Sequence, residues 1–530
     1  MKLLPYGPDA LLWYFAQKPD ESAFLRGSEC LRYIERNPPF GLIETVPALT
    51  SLLLVFGSVV DRDHAAQSLS LRDAITGPAL ESIRCRTVEL PVSYRGLDLE
   101  RVARSAGVSV AEVIRIHSDP EYWVQCLGFA PGFPYLGGLD PRLHTPRLQS
   151  PRPRVPAGSV AIGGSQAGIY SIASPGGWNL LGITDAALFR PEATRLEDIF
   201  LLRTGDRVRF LAMGDPGGAT GSAIADSAET SHPSERADGT ANGLAAMRVL
   251  SAGAGMTFQD AGRPGFRRFG VPPSGYMDPY AAEWANRLLD NAANAPLLEM
   301  ALQGQRLEVL ESGWVAWTGN SGSGTGSPKP WSAFRVTAGE VLSFPHGARG
   351  VWSYLAVPGG FFGPRFFGSV SANPRAGIGE FLKEGMVVCR DPDGSFDPPS
   401  ATASRRTPWT EVPNPSMTLT LPTWPGPQWD LFSPVERERF FSSEWIVSAQ
   451  SDRAGYRLQG SPIRCDLPEI TSEPVLPGTI QVPSGGQPII TMPDGPTLGG
   501  YPKLGVLNAA ARAQLSQVRS GERVRFTARV

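Results

Sequence analysis

The chain is poor in the residues that build metal centres, disulfide frameworks and polyionic surfaces. It has five Cys and five His in 530 residues. Cys30, Cys85, Cys126, Cys389 and Cys465 are scattered without a C-x-x-C pair, so they read as reduced thiols of a cytoplasm-like compartment. No H-E-x-x-H or Cys/His cluster appears, which excludes the usual zinc spacings and leaves no metal site to expect. Charged residues make up only 19%, and 49 basic residues against 51 acidic ones give a net charge of -2. That balance offers no electrostatic footprint for nucleic acid or an anionic membrane. No apolar run is long enough to span a bilayer, and Pro5, Gly7 and Asp9 break the N-terminal run before it can act as a signal-peptide core. A cytoplasmic protein is expected. Phosphate loops, G-x-G-x-x-G and G-x-S-x-G are all missing. So is Met-Lys-Met, the mark of a biotinylated lysine, and no covalent biotin is expected on this chain.

What the chain has in excess is Gly (59) and Pro (50), about a fifth of all positions against an average of roughly 12%. Both weaken helix interiors, and no Gly-X-Y period exists, so long-helix and collagen classes fall away. The 24 Phe, 12 Tyr and 12 Trp need a core, which argues against global disorder. A mainly β protein with few helices (α+β) remains. Residues 214–243 are nearly devoid of large apolar side chains and read as a linker between two halves. A Pro/Ser/Thr-rich stretch at about 391–416 divides the second half.

The helix signals are local. Asp98 is positioned to cap a helix ending near Gly107, and Ser109 with Glu112 forms a capping box for a helix reaching about His117. These two read as packing elements rather than a DNA-reading pair, because the second carries little positive charge. Asp278-Pro279 opens a helix to about Asp290, Ser433-Pro434 opens another, and a last one covers about 507–518.

A repeat is the most informative pattern. Pro156–Ile162, then Gln166, then Gly176–Ile183, then Thr204–Phe210 recur in order as Pro477–Val482, Gln487, Gly499–Val506 and Ser520–Phe526. Each closing segment reads G-[DE]-x-V-x-F, a turn followed by a strand with Val and Phe on one face. Two related β-barrels, duplicated and fused, are expected. Ala338–Phe344 resembles a partial third copy of the closing strand.

The dense run Leu127–Gly138, with Arg154–Ile162, Gly168-Ile169-Tyr170 and Ser174–Trp178, resembles the allophanate-hydrolase subunit 1 family. That family is also described as the B subunit of 5-oxoprolinase or the Kip-type kinase inhibitor. Gln259–Gly265, Gly270–Asp278, Asn286–Leu289, Ser451–Leu458 and Gly499–Lys503 resemble the companion subunit 2, the C subunit of 5-oxoprolinase. The resemblance implies a fusion. Residues 1–213 would be the B-like part, with a small α/β portion at about 1–85 and a cyclophilin-like barrel at about 86–213. Residues 214–246 would be the linker, and 247–530 a C-like part of two barrel-like lobes. It also implies ATP-dependent opening of 5-oxoproline to glutamate with a separate protein like the A subunit of 5-oxoprolinase. Two other contexts follow from it, the carboxyltransferase part of a biotin-dependent urea or amide carboxylase, and inhibition of a sensor histidine kinase. A homo-oligomer is a further partner expectation. The chain departs from the family at Val370, where the family resembles Arg, and at Leu498, which ends a less polar Asp494–Leu498 run.

Lactam opening and carboxyl transfer both need anion recognition and a stabilised oxyanion. The candidate catalytic residues are His117, Asp260, Arg263, Asp452 and Lys503. Candidate substrate-binding residues are Arg154, Gln166, Gly176, Gly177, Trp178, Ser274, Arg453, Arg457, Gln487, Gly499, Gly500 and Tyr501. Each also has a structural alternative: His117 as a helix-terminal histidine, Trp178 as a core aromatic, the Asp/Arg sets as ion pairs, and the glycines as turns.

Overall fold

The computed structural model describes residues 2–69, 86–148, 150–214, 243–319, 329–344, 349–395, 405–413, 419–467 and 469–529. Strands dominate, with eight α-helices among the described residues. The expected linker falls almost wholly outside them. A strand already begins at Leu244, three residues before the boundary that the sequence implies for the second half. Within the 391–416 stretch, Arg405–Arg406 adds a short strand to a sheet of the middle lobe.

The duplication is visible strand by strand. The second barrel closes in the order Leu419–Pro425, Lys503–Leu507, Thr479–Gln481, Ile489–Thr491, Gly455–Gln459, Trp445–Val447 and Arg523–Ala528. The first runs in the same order through Thr87–Val92, Asn179–Ile183, Ser159–Gly163, Gln166–Ile169, Pro134–Gly137, Tyr122–Leu127 and Arg207–Ala212. A Ser93–Ile183 bridge joins its ends. In each barrel the closing strand pairs in parallel with the first strand, Arg207–Ala212 with Thr87–Val92 and Arg523–Ala528 with Leu419–Pro425. Val208 and Phe210, like Val524 and Phe526, point inward as the alternation required. A two-stranded ribbon flanks each barrel, Arg152–Val155 with Ser174–Gly176 and Glu473–Pro474 with Leu498–Gly499. Ala338–Phe344 is not a third copy. Val341–Phe344 alternates in burial, but it lies at a sheet edge, antiparallel to Gln305–Val309, and lacks the parallel mate of a closing strand.

The N-terminal lobe is a four-stranded antiparallel sheet with helices Glu21–Arg36 and Val59–Ser68. The middle lobe packs a five-stranded and a six-stranded sheet across one core that includes Val249, Leu307, Leu298 and Trp317. Helix Pro279–Arg287 starts at Asp278, whose carboxylate accepts the Ala281 N–H at 3.1 Å. Ser109 and Ser433 cap their helices as expected. Asp98 does not. Helix Leu99–Ala106 does end at a left-handed Gly107, but the Asp98 carboxylate turns to Arg152 and the Leu180 N–H, both at 2.8 Å. Tying down the first barrel's ribbon and wall takes its acceptor capacity.

The two halves clasp each other tightly. Arg267 gives its backbone N–H and its Nε to the buried Glu44 carboxylate at 2.8 and 2.6 Å. Gly132 donates to Phe269 O at 2.8 Å, beside Gly270 (φ +79), where a Cβ would stand 2.0 Å from Ala130 O. Phe200 of the first barrel stacks on Phe189, Phe269 and Phe367. Leu498 packs into the space left by Gly128. No described helix is long and apolar enough to cross a membrane.

Candidate functional site at the lobe junctions

The expected site residues fall into two groups and several isolated positions. The first group lies where the barrels meet. Trp178 of the first barrel and Tyr501 of the second occupy equivalent places in the repeat. Arg147 stands between their barrels. Its guanidinium lies 5.8 Å from the Trp178 ring centroid and donates to Ser472 Oγ at 3.3 Å. The Gly500 backbone comes so near that a Cβ there would sit 2.9 Å from Arg147 Nη1. Gly499 pairs with Glu473 in the ribbon that carries this wall. Burial raises the Tyr501 pKa and Glu469 adds to the rise, while Arg147 and Arg457 oppose it. The positive field of both arginines therefore reaches this hydroxyl. Gly176 and Gly177 adjoin Trp178 on the opposite wall. A Cβ on Gly176 would collide with the Tyr170 hydroxyl at 2.0 Å, so only glycine fits. Among the described residues Arg147 bonds Ser472 alone, which leaves it further N–H groups of the kind that recognition of a planar carboxylate requires.

The second group gathers where the middle lobe meets the second barrel. The Asp260 carboxylate accepts from Gly262 N (2.9 Å), Ser369 Oγ (2.5 Å), Val370 N (2.9 Å) and Ser371 Oγ (2.7 Å). Arg263, 1% exposed, donates to Phe366 O at 3.3 Å and to Ser371 O, and its Nη1 has no partner among the described residues. Burial lowers its pKa to about 10 against the pull of Asp494 and Asp260. Arg453 is buried between Glu299 and Asp494, reaching the latter at 2.6 Å, and donates to Gly275 O at 2.8 Å. Burial works to lower its pKa, but the two carboxylates outweigh it and hold the guanidinium charged. Ser274, at φ +54, accepts from Asn373 at 3.4 Å. Asp452 pairs with Arg375 at 2.6 Å and caps the Ala454 N–H. Most of the hydrogen-bonding capacity of these residues goes to the protein, as the ion-pair alternative expects. Arg453 and Asp452 staple the second barrel to the middle lobe, while Asp260 and Arg263 pin a loop within that lobe.

Five candidates stand apart from both groups. His117 is fully buried, stacked on Phe210 at 4.8 Å, with Nδ1 2.7 Å from the Tyr94 hydroxyl. Burial pulls its pKa to about 3, so it is a neutral core residue and unsuited to proton transfer near neutral pH. It does not bond the terminal helix carbonyls either. Lys503, expected as a flexible cation, is 0% exposed inside a strand. Its Nζ donates to Glu473 at 2.7 Å, and that carboxylate also takes Tyr14 OH (2.7 Å) and Gln428 Nε2 (2.6 Å). Arg154 is exposed on the first barrel's ribbon. Gln487 exchanges two hydrogen bonds with the Gly460 backbone, at 2.9 and 3.0 Å. Gln166 is buried with its Oε1 unpartnered among the described residues. The two family departures, Val370 and Leu498, are both core positions. Sequence reasoning missed Arg147, Ser472, Glu299 and Glu473. Arg147 sits in a proline-rich stretch without periodicity, and its partner lies 325 positions away.

The carboxyltransferase domain, subdomain C and D, matches residues 1–199, and the carboxyltransferase domain, subdomain A and B, matches 269–528. The chain is 40% identical over 222 residues to the 5-oxoprolinase B subunit of Bacillus subtilis (strain 168), spanning 39% of this chain and 91% of that protein. It is 35% identical over 290 residues to the 5-oxoprolinase C subunit of Escherichia coli (strain K12), spanning 53% of this chain and 90% of that protein. The crystal structure of TTHA0988 superposes with a TM-score of 0.80 at 34% identity, covering 98% of this chain and 99% of that one. The chain thus belongs to the carboxyltransferase-domain family, and joins on one polypeptide the parts homologous to the B and C subunits of 5-oxoprolinase.

Proposed function

We propose that this protein is the fused B/C component of an ATP-dependent 5-oxoprolinase, opening 5-oxoproline to glutamate with a separate partner like the A subunit of that enzyme. The observation that carries this reading is the barrel junction. Equivalent turns of two homologous barrels meet there, and Arg147 reaches across them to Ser472. In this reading Arg147 and Arg457 hold the substrate carboxylate and Tyr501 lies against its ring, while Trp178, packed in the core against Phe133 and Tyr135, backs the Arg147 guanidinium. Two arginines suit one carboxylate. The chain carries no phosphate-loop motif, and in this reading ATP is bound together with the partner protein.

The test is glutamate and phosphate release from the purified chain, its partner protein, ATP and 5-oxoproline. Release should need both proteins. Arg147→Met should raise KM about tenfold or more, the worth of a charge-assisted hydrogen bond. Failure to release glutamate with the partner present, or an unchanged KM in Arg147→Met, overturns the reading.

A further inference from the structure

The middle lobe contains a cavity of about 290 Å³, remote in sequence from the residues of the barrel junction and unused by the reaction proposed above. Its floor is the loop that Asp260 and Arg263 pin down, and its apolar wall is Phe361 and Phe362. Glycines at 262, 359, 363 and 368 expose backbone in the lining, and Asn294 adds one uncharged polar side chain. Three charged side chains line it: Asp260, Arg365 and Asp391.

Their hydrogen bonds show which of them are open to a ligand. Asp260 is filled by four donors from the protein. Arg365 is exposed and makes one bond, from Nη1 to Gly368 O at 3.0 Å, which leaves Nε and Nη2 without a protein acceptor among the described residues. Asp391 accepts the Asp393 N–H through Oδ1 at 3.0 Å, which leaves Oδ2 without a donor among the described residues. An open guanidinium and an open carboxylate oxygen thus share a cavity with an apolar wall. The lining carries two carboxyl groups against one guanidinium. A phosphate or dicarboxylate finds one open cation there and no use for Asp391, whereas a molecule with one ammonium and one carboxylate meets an open partner for each. From this juxtaposition we infer that the cavity is a second binding site, taking a free α-amino acid with a neutral side chain. The carboxylate lies on Arg365, the ammonium on Asp391 with Asp260 behind it, and the side chain against Phe361 and Phe362.

This site is independent of the barrel junction, and the two ideas stand or fall separately. The experiment is isothermal titration of the full chain with L-glutamine and L-leucine, using L-glutamate and inorganic phosphate as comparators. At least one neutral amino acid should bind one-to-one and more tightly than either comparator. Arg365→Gln and Asp391→Asn should each weaken it about tenfold or more, while Arg147→Met binds as the wild type does. Neither substituted side chain is buried, so unchanged melting temperatures are expected to show that the variants fold. The inference is overturned if neither neutral amino acid binds at about 10 mM, if a comparator binds more tightly, if either cavity variant binds within about twofold of wild type, or if Arg147→Met abolishes binding.

Discussion

Lys503 and Glu473 form a charge pair with side-chain exposures of 0% and 4%, so water does little for either. Replacing Glu473 with Leu strands the ammonium, which among the described residues keeps a 3.5 Å contact to Tyr501 O. Tyr14 OH and Gln428 Nε2 lose their acceptor as well, though they still meet each other at 2.8 Å. Breaking one side of a buried pair costs about 3–5 kcal/mol. For a cooperative unit of about 150–250 residues that lowers the melting temperature by ~6–20 °C. The double variant Glu473→Leu/Lys503→Met removes both charges, and should return to within about 1–2 kcal/mol of wild type. The pH dependence has a definite sign. Burial already holds the Lys503 pKa below its usual value, with Glu473 opposing the fall. Losing Glu473 lowers it further. Between that depressed value and the unfolded value near 10.5, the unfolded chain binds a proton that the native chain refuses, so stability rises with pH across that window. The single variant's deficit should therefore shrink from pH 7 to pH 10, and the double variant should lack that recovery. Scanning calorimetry at both pH values measures this. A single variant within about 1 kcal/mol of wild type, or a double variant no better than the single, refutes the reasoning.

His117→Phe should leave catalysis within about twofold, because the ring serves packing. Its native pKa of about 3 lies below the unfolded 6.5, so wild-type stability falls as the pH drops through that interval, by about 2–3 kcal/mol at pH 4.5. Urea titrations at pH 7 and 4.5 should show a smaller loss in the variant, and an equal loss would disprove the assignment. Gly270→Ala forces a side chain into φ +79 and a 2.0 Å clash with Ala130 O, at the seam between the halves. It should cost about 2–4 kcal/mol, whereas Gly265→Ala, at φ +93 with open space, should cost about 1 kcal/mol. Equal melting temperatures for the two variants would show that the seam yields.

The barrels were legible because their signal is local and occurs twice. Thr204–Phe210 and Ser520–Phe526 each encode a turn and a strand face within seven residues, and both became parallel closing strands. The same pattern at Ala338–Phe344 misled, since alternation describes a strand's faces and says nothing of its neighbours. Helix Glu21–Arg36 escaped notice because the residues it buries, Ala23, Cys30 and Ile34, form a thin and mostly small stripe. The motifs in the second half did lead to a real meeting of Asp260, Arg263, Ser274 and Arg453, yet their chemistry was not readable from their types.

An acid–arginine set reads alike whether it binds a ligand or a neighbouring lobe. The distinction lies in how many of its hydrogen bonds the protein already takes, and that depends on segments far away in sequence. Asp260 is filled by a loop more than a hundred positions on, and Lys503 by Glu473 and the Gln428–Tyr14 network behind it. A filled group has little left for a substrate, and breaking its bonds to free it costs more than a new contact returns. Arg147 and Arg365 reverse that condition. Each makes a single described hydrogen bond to the protein and keeps further N–H groups for a ligand. Neither stood in a recognisable motif, because an arginine left open needs no fixed partner spacing. Asp260, Arg263, Arg453 and Lys503 spend their hydrogen bonds on the fold, whereas Arg147 and Arg365 keep N–H groups that no described residue takes.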